Sequence, residues 1–307
     1  MKPLQLLHGL VAAPHTPFRA DGSLNLPAVE RQAEHLLRHG VRLVFICGTT
    51  GEWASLTTAE RLALVERWMA VSRGTELKVA VHVGANALEE ARLLAAHAHQ
   101  QGALCIAAVA PSFFKPGTVA DLVEWCAAVA AAAPEMPFYY YDIPAFTGVQ
   151  LSMPEFLEQA VERIPNFAGL KYTGGDLMAY QRCLRVADGA LDVAWGRDEW
   201  LLAALALGAK GAVGSTYNLA APLYHRLLRA FEQGDWETAR LEQFRAVQLI
   251  ELLARHGFLA ATKAVLGMLG VDVGQVRLPL RALSEAQIQS LRRELEGLGF
   301  WDWLSRP

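Results

Sequence analysis

Eight short apolar runs alternate along the chain with longer segments in which apolar residues recur at helical spacing. The runs are residues 10–12, 43–47, 79–83, 104–109, 138–141, 169–172, 191–195 and 211–214. Strands that alternate regularly with helices pair in parallel through right-handed crossovers, and eight such units can close on themselves. The pattern therefore predicts an α/β fold, a (β/α)8 or TIM barrel. A doubly wound open sheet is the alternative, but no G-x-G-x-x-G follows the first run.

The residues after the eighth run predict how the chain is organised into domains. From residue 222 onward the sequence is rich in Leu, Ala, Arg and Glu at helical spacing, and no Pro/Ser-rich linker divides it from the rest. We interpret residues 1–221 as the barrel strands and helices, and residues 222–307 as the last barrel helix plus a helical extension. Barrels of about 250 residues with an added segment are common as one domain, so we predict a single domain over 1–307.

Composition narrows the class of partner. The chain is 53% hydrophobic and 19% charged, with 28 basic and 31 acidic residues and a net charge of −3. Neither sign collects into a block, so nucleic acid and anionic membranes are poor candidate partners, and no run reaches the roughly 18 apolar residues of a membrane span. We expect a small-molecule substrate.

The spacing of cysteines and histidines predicts the cellular compartment of the protein and argues against a metal site. The four cysteines are far apart, form no C-x-x-C pair and lie in apolar runs, which predicts buried reduced thiols and a cytoplasmic protein. His35 and His39 have the i, i+4 spacing of a helical metal pair, but no third ligand accompanies them. We predict no metal site.

One lysine is placed for chemistry. The active site of such a barrel lies at the C-terminal ends of its strands, and Lys171 is carried inside an apolar run near that end. Burial lowers the pKa of a lysine and frees its amine to attack a carbonyl, whereas the alternative is a lysine paired with a buried carboxylate. Position alone leaves both open. The other lysines lie before strands, in a solvent-facing loop or outside the strands: Lys2, Lys78, Lys115, Lys210 and Lys263.

Tyrosine side chains in the fifth run provide a candidate acid or base. Alternation turns Tyr139 and Tyr141 to one side of the strand and Tyr140 to the other. The phenol of Tyr141, at the strand end, is placed to move a proton beside the lysine, although aromatic packing is the commoner role of a tyrosine.

Three strand ends carry candidate binding residues, those of the second, seventh and eighth runs, the last of which ends in Gly214-Ser215-Thr-Tyr-Asn. The second run leads into Gly-Thr49-Thr50-Gly51-Glu, a turn whose backbone N–H groups can hold a carboxylate, although Gly-rich turns are frequent. The seventh run leads into Asp198 and Glu199, which either accept hydrogen bonds from substrate hydroxyls or simply favour a helix N-terminus.

Together these motifs resemble a known superfamily. The turn at residues 48–52, Tyr141-x-Ile-Pro-x-x-Thr-Gly148 and Gly169-Leu-Lys-x-Thr173 are similar to those of the N-acetylneuraminate lyase and dihydrodipicolinate synthase superfamily, and the resemblance covers almost the whole chain. It implies that Lys171 forms an imine with pyruvate and that Tyr141 moves the proton of the hydroxyl at the bond being broken.

The resemblance also implies the rest of the machinery. The turn bearing Thr49, Thr50 and Gly51 holds the pyruvate carboxylate, and Thr50 is predicted as a third catalytic residue. Because the protonated imine itself is the electron sink, no cofactor and no metal are implied. Members of the superfamily are usually tetramers built as dimers of dimers, which implies a homo-oligomer, and the Phe113-Phe114 pair suits an interface.

Within the superfamily the sequence is more similar to the lyases. Synthases place an arginine where this chain has Ala145-Phe146, and a tyrosine from a neighbouring subunit where it has Phe113-Phe114. The residues that resemble lyase contacts to the polyhydroxyl tail of the sugar are Thr173, Gly196, Asp198, Glu199, Gly214 and Ser215. Trp53 and Arg197 depart from the lyase pattern, and we expect them to narrow the pocket or to change its charge.

Three hypotheses follow for function. The leading one is a class I aldolase that cleaves N-acetylneuraminate to pyruvate and N-acetylmannosamine. The second is another pyruvate-forming aldolase or dehydratase acting on an acid such as 2-oxo-3-deoxygluconate, with a dihydrodipicolinate synthase less favoured. The third is a non-catalytic barrel that binds a ligand as a sensor, which the presence of Lys171, Tyr141 and the Thr49-Thr50 turn disfavours.

Overall fold

Eight parallel strands pair in chain order and close into a barrel in the computed structural model, which describes residues 6–304. The strands are β1 (Gly9–Ala12), β2 (Leu43–Ile46), β3 (Lys78–His82), β4 (Cys105–Ala108), β5 (Phe138–Asp142), β6 (Phe167–Tyr172), β7 (Asp192–Trp195) and β8 (Gly211–Gly214). Closure comes from β1 pairing with β8, from Gly9 opposite Gly211 to Ala12 opposite Gly214. Each predicted run coincides with a strand, so the barrel is confirmed. Lys2 and the extreme ends of the predicted domain lie outside the described residues.

Helices connect the strands and continue beyond the barrel. Those of the barrel are α1 (Ala28–Arg38), α2 (Thr58–Ser72), α3 (Leu88–Gln100), α4 (Val119–Ala130), the short α5 (Pro144–Thr147), α6 (Met153–Arg163), α7 (Leu177–Cys183), α8 (Leu201–Leu207) and α9 (Tyr217–Glu232). The extension consists of α10 (Trp236–Arg255), α11 (Phe258–Met268), α12 (Glu285–Leu298) and α13 (Phe300–Trp303). The predicted helical extension is therefore present. No helix in the described part of the chain is long and apolar enough to cross a membrane.

The last barrel helix begins earlier than predicted. The sequence predicts its start at residue 222, whereas α9 begins at Tyr217 and is kinked at Ala220, whose φ of −132° and ψ of 33° are not helical, just before Pro222. A proline inside a helix leaves the carbonyl four residues earlier without its N–H partner. Here that carbonyl belongs to Asn218, and His35 Nε2 lies 2.9 Å from it. A side chain from α1 thus hydrogen-bonds the carbonyl that this kinked turn leaves without a backbone partner.

Side-chain alternation along the strands separates two apolar layers. One fills the barrel interior and includes Phe45, Tyr139 and Tyr141; the other lies between the strands and the helices. Tyr140 belongs to the outer layer, with its ring 4.8 Å from that of Phe156. The predicted alternation of the three tyrosines is confirmed, and it delivers Tyr141 to the barrel interior.

Candidate active site

Lys171 lies in β6 with its side chain inside the barrel. The residue is only 4% exposed, and its Cα is the register partner of Tyr141 on β5. Its Nζ lies 3.9 Å from the centre of the Tyr141 ring and 4.2 Å from the centre of the Phe45 ring. The amine is therefore surrounded by aromatic carbon.

The environment of Lys171 distinguishes the two roles that its position left open. Within residues 6–304 no carboxylate lies within ion-pair distance of Nζ. Burial lowers the pKa of Lys171 to about 7, while the charge of Asp198 acts in the opposite direction. A large fraction of the amine is thus unprotonated at neutral pH, as a nucleophile requires.

Tyr141 joins the lysine to the turn after β2. Its hydroxyl lies 3.2 Å from Thr49 Oγ1, and the residue is 3% exposed. Burial raises the pKa of Tyr141 to about 12, against the hydrogen bond from Thr49, so the phenol keeps its proton at neutral pH. In contrast, the Tyr139 hydroxyl donates to Asp192 Oδ2 at 2.8 Å, so this hydroxyl is fixed in the barrel interior away from Lys171.

The turn after β2 presents two hydroxyls and two free backbone donors. Thr50 Oγ1 lies 2.6 Å from Ser215 Oγ, so this turn and the loop after β8 are joined directly. Among the described residues, the N–H groups of Thr49 and Thr50 find no acceptor. Gly51 lies behind the turn, where its carbonyl accepts the Thr16 hydroxyl at 2.6 Å, and it does not line the cavity. The turn therefore presents both threonines to an anion in the cavity, while the Gly51 carbonyl faces Thr16.

Asp198 is held by the loop after β8. Its Oδ2 accepts from the Thr216 N–H at 2.9 Å and from the Thr216 hydroxyl at 2.5 Å. Burial raises the pKa of Asp198 to about 6, partly offset by these bonds. The residue also begins a short 3-10 helix, Asp198–Trp200, so the structural role left open by the sequence is present beside its place in the cavity.

Two glycines make room for polar side chains. A Cβ on Gly214 would lie 1.8 Å from Asp198 Oδ1, and a Cβ on Gly196 would lie 2.3 Å from Thr173 Cγ2. The hydroxyl of Thr173 donates to the Asp142 carbonyl at 2.6 Å. Both glycines therefore act by allowing close approach of Asp198 and Thr173 to the neighbouring strands.

The two departures from the lyase pattern lie in different places. Arg197 lines the cavity, with Nε 3.6 Å from Glu199 Oε1, so it does place a positive charge there. Trp53 does not line the cavity; its ring lies 5.3 Å from that of His82, beneath the guanidinium of Arg61. The expectation that Trp53 narrows the pocket was wrong, because the indole turns toward α2 and β3.

Lys171, Tyr141, Asp198 and the two threonines open into one cavity of about 360 Å³, within the usual range for small-molecule sites. Of the predicted site residues, all but Gly51 line it. Three apolar residues from α10 and α11 also line it and were missed: Ile250, Phe258 and Leu259. Nothing in their local pattern distinguishes them from core positions. Residues 6–304 contain no cluster of three or more metal-ligating side chains.

Comparison with known proteins agrees with the geometry. The model of the dihydrodipicolinate synthetase family matches residues 6–298. The N-acetylneuraminate lyase of Gallus gallus is 41% identical over 302 residues, covering 97% of this chain and 98% of that protein.

Solved structures show the same preference. An N-acetylneuraminate lyase (sialic acid aldolase) from Aliivibrio salmonicida is 44% identical, covers 98% of each chain and superposes with a TM-score of 0.93. A DHDPS from Cyanidioschyzon merolae is 29% identical, covers 96% of this chain and 99% of that one, and superposes with a TM-score of 0.89. Both share the fold of this chain, and its sequence is more similar to that of the Aliivibrio salmonicida lyase than to that of the Cyanidioschyzon merolae DHDPS.

Proposed function

This chain belongs to the dihydrodipicolinate synthetase family, and we propose that it is a carbon–carbon lyase that cleaves N-acetylneuraminate to pyruvate and N-acetylmannosamine through an imine at Lys171. The observation that carries the proposal is the pairing of Lys171 with Tyr141. The lysine amine lies over the tyrosine ring, without a carboxylate partner in the described residues, in a cavity that also holds the Thr49-Thr50 turn.

The chemistry begins with the amine. Lys171 Nζ attacks the C2 carbonyl of the open-chain sugar acid, and loss of water leaves a protonated imine. The electrons of the C3–C4 bond then move toward the imine nitrogen as the proton leaves the C4 hydroxyl, which becomes the aldehyde of N-acetylmannosamine. Protonation of the resulting enamine at C3 and hydrolysis of the imine release pyruvate and restore the amine.

Tyr141 is the group proposed to move the C4 proton. It is the register partner of Lys171, and its hydroxyl bonds to Thr49 Oγ1. Because burial raises the pKa of the phenol, it is a proton donor in the direction of synthesis and a relay in the direction of cleavage. With only 3% of the residue exposed, its proton exchanges mainly with groups in the cavity.

The two ends of the cavity favour different parts of the substrate. The free N–H groups of Thr49 and Thr50 suit the carboxylate beside C2. At the other end Asp198 Oδ1, which is not used by Thr216, and Glu199 are placed to accept hydrogen bonds from the hydroxyls of the sugar tail, beside Ser215. A synthase substrate would instead bring a second carboxylate against Ala145 and Phe146, which provide no cation, while the Arg197 guanidinium in the same cavity is paired with Glu199.

We extend the proposal to assembly and compartment. Phe113 and Phe114 are 78% and 86% exposed and pack edge to face with ring centres 5.0 Å apart. Such an apolar pair supports a homo-oligomer, a tetramer as in the superfamily. All four cysteines are buried and free, which supports a cytoplasmic enzyme.

A substrate panel with pyruvate release as readout tests the proposal. N-acetylneuraminate is expected to be cleaved, and aspartate semialdehyde with pyruvate is expected to give no useful condensation. If 2-oxo-3-deoxygluconate is cleaved in preference to N-acetylneuraminate, the lyase assignment fails and the second aldolase hypothesis takes its place.

A further inference from the structure

The turn that carries Thr49 and Thr50 is bracketed by two strained residues. Cys47, just before it, has φ 55°, and Glu52, just after it, has φ 54°. A left-handed backbone is unfavourable for residues other than glycine, and it persists only where the surroundings hold it in place. Something must therefore hold each end of the turn.

The first end is held from β3. The Cys47 carbonyl lies 2.7 Å from His82 Nδ1, and the Arg61 guanidinium donates to the His82 carbonyl at 2.7 Å and the Gly84 carbonyl at 2.8 Å. The other ring nitrogen, Nε2, lies 3.4 Å from the Val109 N–H and accepts from it. This pattern fits a neutral imidazole with its proton on Nδ1, donated to Cys47.

The second end is held from the helical extension. Lys263 Nζ on α11 lies 2.7 Å from Glu52 Oε1, and both side chains are 1% exposed. The same ammonium donates to the carbonyls of Thr16 and Gln275, each at 2.9 Å. Glu52 Oε2 accepts the Arg277 N–H at 3.0 Å. The carboxylate of Glu52 is thus fixed by two segments that lie more than two hundred positions later in the chain.

A buried ion pair is poor evidence of net stabilisation, because desolvation offsets most of the Coulomb attraction. What this pair does provide is a fixed position for Glu52 in a backbone conformation that the residue would otherwise leave. Thr49 and Thr50 lie three and two residues before Glu52, so a change in the φ of Glu52 reorients the backbone N–H groups of residues that line the cavity.

We propose that Lys263 is a positioning residue for substrate carboxylate recognition: through Glu52 it holds the turn so that the N–H groups of Thr49 and Thr50 point at the carboxylate, with His82 doing the same from Cys47. This rests on the proposed function, since it deepens the role of the same site. The helical extension thereby belongs to the binding machinery and is not only a cover for the barrel.

The test compares two carbonyl compounds that differ in the carboxylate. Pyruvate and acetone can both form an imine at Lys171, and borohydride reduction traps either adduct. In Lys263→Met we expect the half-saturating concentration of pyruvate for trapping to rise roughly tenfold, the size expected when one strained residue is released. The half-saturating concentration of acetone should stay within about twofold of the wild-type value, because acetone has no carboxylate for the turn to bind.

A matched control separates this effect from general loss of stability. Glu242 is 3% exposed and forms a buried ion-pair cluster with Arg226 and Arg245 between α9 and α10, far from the turn in sequence. Glu242→Gln should lower the melting temperature and leave the pyruvate-to-acetone ratio unchanged. The double variant Glu52→Gln/Lys263→Met leaves no unpaired buried charge, so it is expected to fold even if the single variant does not. Its half-saturating concentration of pyruvate should rise by the same factor.

The outcomes are distinguishable. A wild-type protein with no adduct on Lys171 overturns the proposed function, and this inference with it. A wild-type adduct combined with equal changes for pyruvate and acetone, or with no change for either in the Lys263 variants, overturns the inference alone.

Discussion

The pH dependence of imine formation is the sharpest consequence of how Lys171 is buried. With its pKa lowered to about 7, about three-quarters of the amine is free at pH 7.5, whereas an ordinary lysine of pKa 10.5 leaves about one part in a thousand free. The surroundings therefore increase the reactive form by nearly three orders of magnitude at that pH.

The lowered pKa of Lys171 predicts how the rate of imine formation changes with pH. The second-order rate constant for imine formation, measured with pyruvate far below saturation, reports groups of the free enzyme. It is expected to be flat above about pH 7.5 and to fall about tenfold for each unit of pH below about 6.5, because the protonated amine cannot attack. Rapid quench with borohydride and intact-protein mass spectrometry measure it. A rate that keeps rising to pH 10 would contradict the argument.

The Asp198→Asn variant tests the direction in which Asp198 shifts the pKa of Lys171. The carboxylate of Asp198 raises the pKa of Lys171, so its removal should move the inflection to lower pH. Since the pKa of Asp198 itself is raised to about 6, the carboxylate carries its full charge only above that pH. An inflection that moves upward in this variant would show that another group controls the amine.

Three further substitutions test the remaining roles. Tyr141→Phe should leave the pyruvate adduct detectable and slow cleavage by about 10² or more, whereas Tyr140→Phe, on the outer face of the same strand, should behave almost as wild type. Asp198→Ala should reduce kcat/KM for N-acetylneuraminate by a factor that corresponds to roughly 1.5–3 kcal/mol of lost transition-state stabilisation, the range for a hydrogen bond to a charged group. An unchanged kcat/KM would show that Asp198 does not bind the substrate. Gly214→Ala puts a Cβ 1.8 Å from Asp198 Oδ1 and should reduce the same constant by roughly 10², while Gly267→Ala, where nothing lies within 4 Å, serves as the control.

Much of the site could be predicted because its residues sit on regular strands. The strand run around Lys171 and the alternation of the tyrosines place the lysine and Tyr141 inside the barrel with no knowledge of tertiary contacts. The turn after β2 was recognisable from its glycines and hydroxyls. In each case the information lies within a few residues of the functional group.

What the sequence could not provide depends on contacts between distant segments. Phe258 and Leu259 have the same local pattern as any core helix, and only the packing of α11 over the barrel mouth brings them to the cavity. Lys263 lies outside the strands and nothing in its local sequence indicates a functional role, yet its ammonium contacts the Glu52 carboxylate across the fold. Likewise, the orientation of Trp53 away from the cavity depends on Arg61 and His82.

If Lys171 is the nucleophile, pyruvate must become covalently attached to its side chain. The protein is incubated with pyruvate, reduced with borohydride, digested and mapped by peptide mass spectrometry. We expect one reduced pyruvate unit per chain, located on Lys171, and none in Lys171→Arg, whose guanidinium stays protonated. An adduct on Lys115 or Lys210 instead, or no adduct at all, would contradict it.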